Sequence, residues 1–283
     1  MNFYPKLYNF NNEDKKEYLG MTLMGPDLSK LMKFTKNHFF EKDILIDIGL
    51  ELINLLEYIH HNNIIHRDVK PKNIVWGLYS NSTIKNRNRL YLIDFGYADY
   101  IGKSFLMDNE KTFSRKGTRE FLSINSHLFG LPSPNDDIES LIYTLLYISK
   151  LGLPWQSLSC ANKSKYKVTL EMKINFDYVE YCGLEFEFLA KTLEYLKKVN
   201  EEKKIVQYEV LKKIFEDEKK EKENSIYIRN YEGKFSKEIN EEIEKFIHKE
   251  KDEDASENIQ KLFEGYPINY NKFHKDLNNI QLL

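Results

Sequence analysis

The chain has 283 residues and is 41% apolar, enough for one large domain or two small ones with a packed core. A formal net charge of −2 removes any global electrostatic case for nucleic-acid binding. Its two cysteines, Cys160 and Cys182, lack zinc-ligand spacing, and no apolar stretch follows a basic start, so a reducing compartment, cytoplasmic or nuclear, is expected. The longest apolar runs, 52–56 and 141–148, are too short to span a bilayer, so no membrane partner is expected.

In chain order, residues 3–10 read as a strand, 11–14 as a turn and 18–24 as a second strand. Gly25-Pro26 ends that strand because proline lacks the ladder donor. Asp27 or Ser29 then caps a short helix over 28–36. Ile44, Leu45, Ile48, Leu52, Leu55, Leu56 and Ile59 recur at helical spacing and predict a long buried helix over 41–61. Two short strands, 74–76 and 90–93, are joined by a polar turn at 80–83. An irregular stretch with Lys103, Arg115, Lys116 and Arg119 runs through Gly117-Thr118 to Ser123-Ile124-Asn125. Asp136, Asp137 and Glu139 then open an apolar helix to about 148, where carboxylates suit the free amides of a helix start. Helical patterns continue over 185–198 and 206–218, and no internal repeat is found. From about 216 the texture turns to charge runs, including 216–222 and 249–254, which read as solvated faces or linkers.

Chemistry concentrates in His66-Arg67-Asp68-Val69-Lys70-Pro71-Lys72-Asn73 and in Asp94-Phe95-Gly96. Phosphoryl transfer needs few protein groups, and these supply them. Asp68 is a carboxylate able to receive and orient a hydroxyl, and Lys70 is a cation for the transferring phosphate. Asn73 and Asp94 are hard oxygen donors suited to magnesium. The hairpin 74–93 brings Asn73 and Asp94 to one end. Every residue type of the patterns H-R-D-x-x-x-x-N and D-F-G stands in order.

Several further stretches resemble the casein kinase 1 family of eukaryotic protein kinases over about residues 3 to 215. These are Glu57-Tyr58-Ile59-His60 before the H-R-D motif, Ser123-Ile124-Asn125 where most kinases have A-P-E, Asp136-Asp137-Ile138-Glu139-Ser140-Leu141, and Leu153-Pro154-Trp155-Gln156. The resemblance implies an α+β protein-kinase-like fold. Its parts would be two remnant strands of the N-terminal lobe and a hinge in 1–24, the helical C-lobe in 25–218, and a charged helical extension in 219–283. It implies serine/threonine phosphotransfer from ATP with Mg2+, Asp68 and Lys70 being catalytic and Asn73 and Asp94 the metal ligands. Thr22 and Met24 fall on the hinge that hydrogen-bonds adenine, and Val75 and Ile93 form the apolar floor under the base. His66 and Arg67 support the loop structurally, and Asp137 resembles the aspartate that holds its backbone from below. Protein substrates with serine or threonine in an acidic or phosphorylated context are implied, read by Lys165 and Arg119. Glu120 departs from this, standing where the family has an arginine.

The family's other half is not found: the sequence holds no G-x-G-x-x-G and no V-A-I-K-like lysine, and it begins at what resembles the fourth strand. The expectation is therefore a phosphotransferase impaired or inactive as this chain alone, with a partner covering the open N-terminal side. The alternative expectation is a catalytically silent scaffold or binding module derived from a kinase. A third places 219–283 where the absent lobe would sit.

Overall fold

The computed structural model describes residues 7–13, 16–21, 24–35, 37–77, 89–101, 116–156 and 164–219. All of these but Gly77 belong to one compact unit. The expectations for 80–83 and for the extension after 219 lie outside the described residues.

Strands β1 (Leu7–Glu13) and β2 (Lys16–Met21) pair antiparallel, in a register running from Leu7↔Met21 to Glu13↔Lys16. The expected turn at 11–14 is corrected here, because Asn11, Asn12 and Glu13 all carry ladder partners. Helix α1 (Leu28–Phe34) starts where Asp27 accepts from the Lys30 amide at 3.0 Å, so Asp27 rather than Ser29 is its cap. Helix α2 (Lys42–His61) follows, then the two-residue strand β3 (Ile64–Ile65) and a 3-10 turn, Pro71–Asn73. Strands β4 (Ile74–Trp76) and β5 (Leu90–Leu92) form the expected hairpin, with Ile74 opposite Leu92. Strand β6 (Asp99–Tyr100) pairs antiparallel with β3.

The helical body then builds up from α3 (Ile124–His127), α4 (Pro134–Ile148), α5 (Lys165–Asn175), α6 (Tyr178–Cys182), α7 (Glu187–Glu201) and α8 (Tyr208–Glu216). The helical pattern expected over 206–218 is observed as α8, and that over 185–198 as α7. Helices α5 and α6 were not legible, since α5 has little amphipathic contrast and buries a lysine, Lys173. Helix α4 begins two residues before the acidic run. Pro134 sits in its first turn, where no amide partner is needed, and Asp136 Oδ2 accepts from the Ser133 amide at 2.8 Å.

Every residue of α4 except Tyr147 is buried. It packs on α2, whose Leu45, Ile46, Leu52, Ile53 and Ile59 are also withdrawn from water. Each such side chain contributes about 1.5–3 kcal/mol of burial, so this pair of helices supplies a large share of the stability of the unit. Helix α8 closes on α2 at Gly49, where an added Cβ would lie 2.2 Å from the Phe215 ring, so only glycine admits that approach. The candidate site therefore hangs on a rigid two-helix base, with β4–β5 presented at its edge.

Candidate active site

The loop after β3 is held from beneath by one buried carboxylate. Asp137 Oδ2 accepts from the His66 amide at 2.7 Å, and its Oδ1 accepts from the Arg67 amide at 2.8 Å. His60 Nε2, from α2, donates to Asp137 at 2.9 Å, and His60 Nδ1 meets the Tyr208 hydroxyl from α8. Burial alone would raise Asp137. The His60 hydrogen bond and charge and the His66 amide bond outweigh it and hold the carboxyl below its usual value. This grip stabilises an unfavourable backbone at Arg67, whose φ is 68°, while Asp94, with φ 64°, is also left-handed without being glycine. The Arg67 guanidinium is tied in turn to Asp99 of β6 at 3.1 Å.

His66 is fully buried. Its Nε2 donates to the Ile93 carbonyl at 3.0 Å, and Nδ1 accepts from the Asp68 amide at 3.3 Å. Burial lowers its pKa, so the ring is neutral and acts as a spacer joining the loop to the D-F-G turn. The Phe95 ring packs edge-on against it with centroids 4.8 Å apart. The Ile93 amide also donates to the Asn73 carbonyl at 2.9 Å. These two bonds set Asn73 beside Ile93 and Asp94, the juxtaposition expected from the hairpin.

Asp68 is buried, and four donors converge on its carboxylate. Lys70 Nζ at 2.6 Å and Asn73 Nδ2 at 3.0 Å reach Oδ2, while the Thr118 amide and hydroxyl, both at 2.9 Å, reach Oδ1. Lys70 Nζ also donates to Thr118 Oγ1 at 2.8 Å. Sequence reasoning passed over Thr118, whose only local signal is the preceding glycine. Gly117 has φ 111°, and an added Cβ would stand 2.5 Å from the Arg67 carbonyl, so glycine is required for Thr118 to reach Asp68.

The oxygen donors suit a hard cation. Asn73 turns its amide nitrogen to Asp68, which leaves its amide oxygen facing away, and Asp94 is exposed with Oδ1 accepting from the Gly96 amide at 3.3 Å. Among the described residues no cluster of three or more His, Cys, Asp and Glu is arranged to hold a metal, so a cation here would use these two groups together with nucleotide oxygens and water.

Of the expected cofactor residues, Val75 is buried in β4, and Ile93 and Met24 are half-buried. Residues 25–26 run against β4, with Gly25 N on the Trp76 carbonyl at 2.7 Å and Trp76 N on the Pro26 carbonyl at 3.0 Å, so Met24 enters beside the hairpin. Thr22 lies outside the described residues. The two expected anion-binding residues differ. Lys165 is exposed at the start of α5, whereas Arg119 is turned onto Glu120 at 2.5 Å and onto Thr169 at 3.4 Å. Burial would raise Glu120, but the Arg119 hydrogen bond brings it below its ordinary value, so the carboxylate is charged and occupies the guanidinium. Cys182 is buried and its thiol is pushed up to about 11 by burial, which makes it an inert packing residue, while Cys160 lies outside the described residues. Among the described residues no helix is long and apolar enough to cross a membrane.

Two comparisons with known proteins bear on this arrangement. The family model for the protein kinase domain matches residues 5–124. Casein kinase I homolog 2 of Schizosaccharomyces pombe is 32% identical over 219 residues, covering 75% of this chain and 49% of that protein. The chain thus spans about half the length of the curated relative it matches.

Proposed function

Since the chain belongs to the protein kinases and is casein kinase 1-like, we propose that it transfers the γ-phosphate of ATP to serine and threonine hydroxyls of protein substrates. The observation that carries this reading is the single cluster in which Asp68, Lys70, Asn73 and Thr118 meet, with Asp94 on the adjoining turn. Asp68 receives the substrate hydroxyl. Its four acceptor positions are filled, so an incoming hydroxyl takes one of them. The Thr118 hydroxyl is a neutral donor and yields more readily than the charged Lys70. Lys70, which keeps its hold on Asp68, also serves as the cation for the transferring phosphate. Asn73 and Asp94 would hold magnesium, which neutralises charge on the phosphates when bound. Val75, Ile93 and Met24 would line the adenine site, with Thr22 on the same connection.

The acidic or phosphorylated substrate context belongs to this proposal through Lys165, which is exposed, while Arg119 is already engaged by Glu120. A silent binding module is the competing reading. Incubation with labelled ATP, magnesium and a serine peptide decides between them. Transfer that disappears in Asp94→Asn supports the kinase. Tight nucleotide-independent protein binding with no transfer supports the module.

A further inference from the structure

The substrate side of Asp68 rests on a buried lysine to which the chemistry above assigns nothing. Lys173 of α5 is 1% exposed. Its Nζ donates to the Leu122 carbonyl at 2.5 Å and lies 4.2 Å from the Tyr143 ring centroid and 5.0 Å from that of Trp155. A desolvated cation held between two ring faces and one carbonyl has a fixed position. From Leu122 the connection to the reaction centre is short. The Leu122 amide donates to the Thr118 carbonyl at 3.1 Å and the Phe121 amide to the same oxygen at 2.9 Å, closing a turn whose first residue puts its amide and hydroxyl on Asp68.

The far side of the turn is gripped as well. Glu139 accepts from the Ile124 amide at 2.8 Å and from the Tyr143 hydroxyl at 2.7 Å, and Asp136 accepts from Ser123 Oγ at 2.6 Å. Trp155 Nε1 donates to the Glu120 carbonyl at 2.8 Å.

We infer that Lys173 is a positioning residue for phosphotransfer, fixing the turn 118–122 through the Leu122 carbonyl and so holding the Thr118 donors on Asp68. This inference rests on the kinase reading for its consequence in turnover, but not for its consequence in the turn itself. The charge of Lys173 is poised: burial brings its pKa down to about 7 against the opposing pull of Glu139 and Glu120, with Arg119 adding to the lowering. Glu139 is raised to about 7 by burial, with Asp136 adding to the rise and Lys173 opposing it. The lysine is thus held at an electrostatic cost that a purely apolar filler would avoid.

The test compares Lys173→Met, Lys173→Gln and Thr118→Val in the full chain. Methionine fills the aromatic box without a donor, and glutamine restores a donor without the charge. Lys173→Met is expected to lower kcat about tenfold with KM for ATP unchanged, and Lys173→Gln to recover most of that loss. In the Thr118→Val background, Lys173→Met is expected to cost less than it does in the wild type, because the valine has already removed one of the two Thr118 donors that Lys173 holds on Asp68. An unchanged kcat, or effects that multiply in the double variant, overturns the inference. Hydrogen exchange reads the turn without turnover. Amides of 117–122 are expected to exchange faster in Lys173→Met, or in Lys173→Gln if the methionine variant does not fold, while those of 66–74 keep wild-type protection. Equal exchange in both segments overturns the inference even if no variant transfers phosphate. A wild-type chain without transfer defeats only the kinase reading.

Discussion

At the scale of single residues, the site is a carboxylate with all its acceptor positions filled. Asp68→Asn keeps the shape but cannot take the hydroxyl proton, and it is expected to lower kcat by about 10²–10⁴-fold, measured by peptide phosphorylation at saturating ATP. Thr118→Val removes the hydroxyl that bridges Asp68 and Lys70, worth about 0.5–1.5 kcal/mol, and is expected to cost up to about tenfold in kcat. Asp68, Lys70, Asn73 and Asp94 were legible because their spacing is local and their chemistry is specific. Their partners were not. Thr118 meets Asp68 across 50 residues of sequence, Asp99 meets Arg67 across 32, and Tyr208 meets His60 across 148. No residue-type pattern links such pairs, and only folding brings them together.

At the scale of elements, α2 was legible from its apolar period, α4 from an acidic start before an apolar run, and β4–β5 from two apolar runs around a polar turn. Helix α5 was not, since Lys173 points inward and carries a polar end into the core, which breaks the expected pattern. The close approach of α2 and α8 at Gly49 gives a direct check. Gly49→Ala forces the Phe215 ring aside and is expected to destabilise by about 1–3 kcal/mol in urea unfolding, with Phe215→Leu restoring part of the loss. Helix α8 is also tied to α2 by Lys212–Glu57 at 2.8 Å, and the residues just past its end by Lys42–Glu218 and Lys219–Asp47, both at 2.7 Å. Each such half-exposed pair contributes about 0.2–1 kcal/mol, so the buried Leu211 and Phe215 carry more of the docking than all the charges do.

At the scale of the molecule, α4 connects both halves of the site. Asp137 holds the loop that carries Asp68, and Asp136 and Glu139 hold the segment that follows Thr118. This predicts an acid response with a definite sign. Asp137 has a folded pKa below its ordinary 3.8, so its contribution is complete above about pH 4 and is lost as pH falls through the folded value. Glu139 runs the other way: raised from 4.5 to about 7, it penalises the fold above pH 7 and relieves that penalty as pH falls toward 4.5. Asp137→Asn is therefore expected to be less stable by about 3 kcal/mol at neutral pH, and to lose stability less steeply than wild type below pH 4 in thermal melts.

The central claim, that these groups form a working phosphotransfer site, is tested most directly by one assay. Purified chain, magnesium and γ-labelled ATP are incubated with a serine peptide, with Asp68→Asn and Asp94→Asn run in parallel. The account predicts label on the peptide serine from the wild-type chain and at least about a hundredfold less from either variant. Wild-type incorporation no higher than that of Asp68→Asn, at nucleotide concentrations that saturate binding, would contradict it.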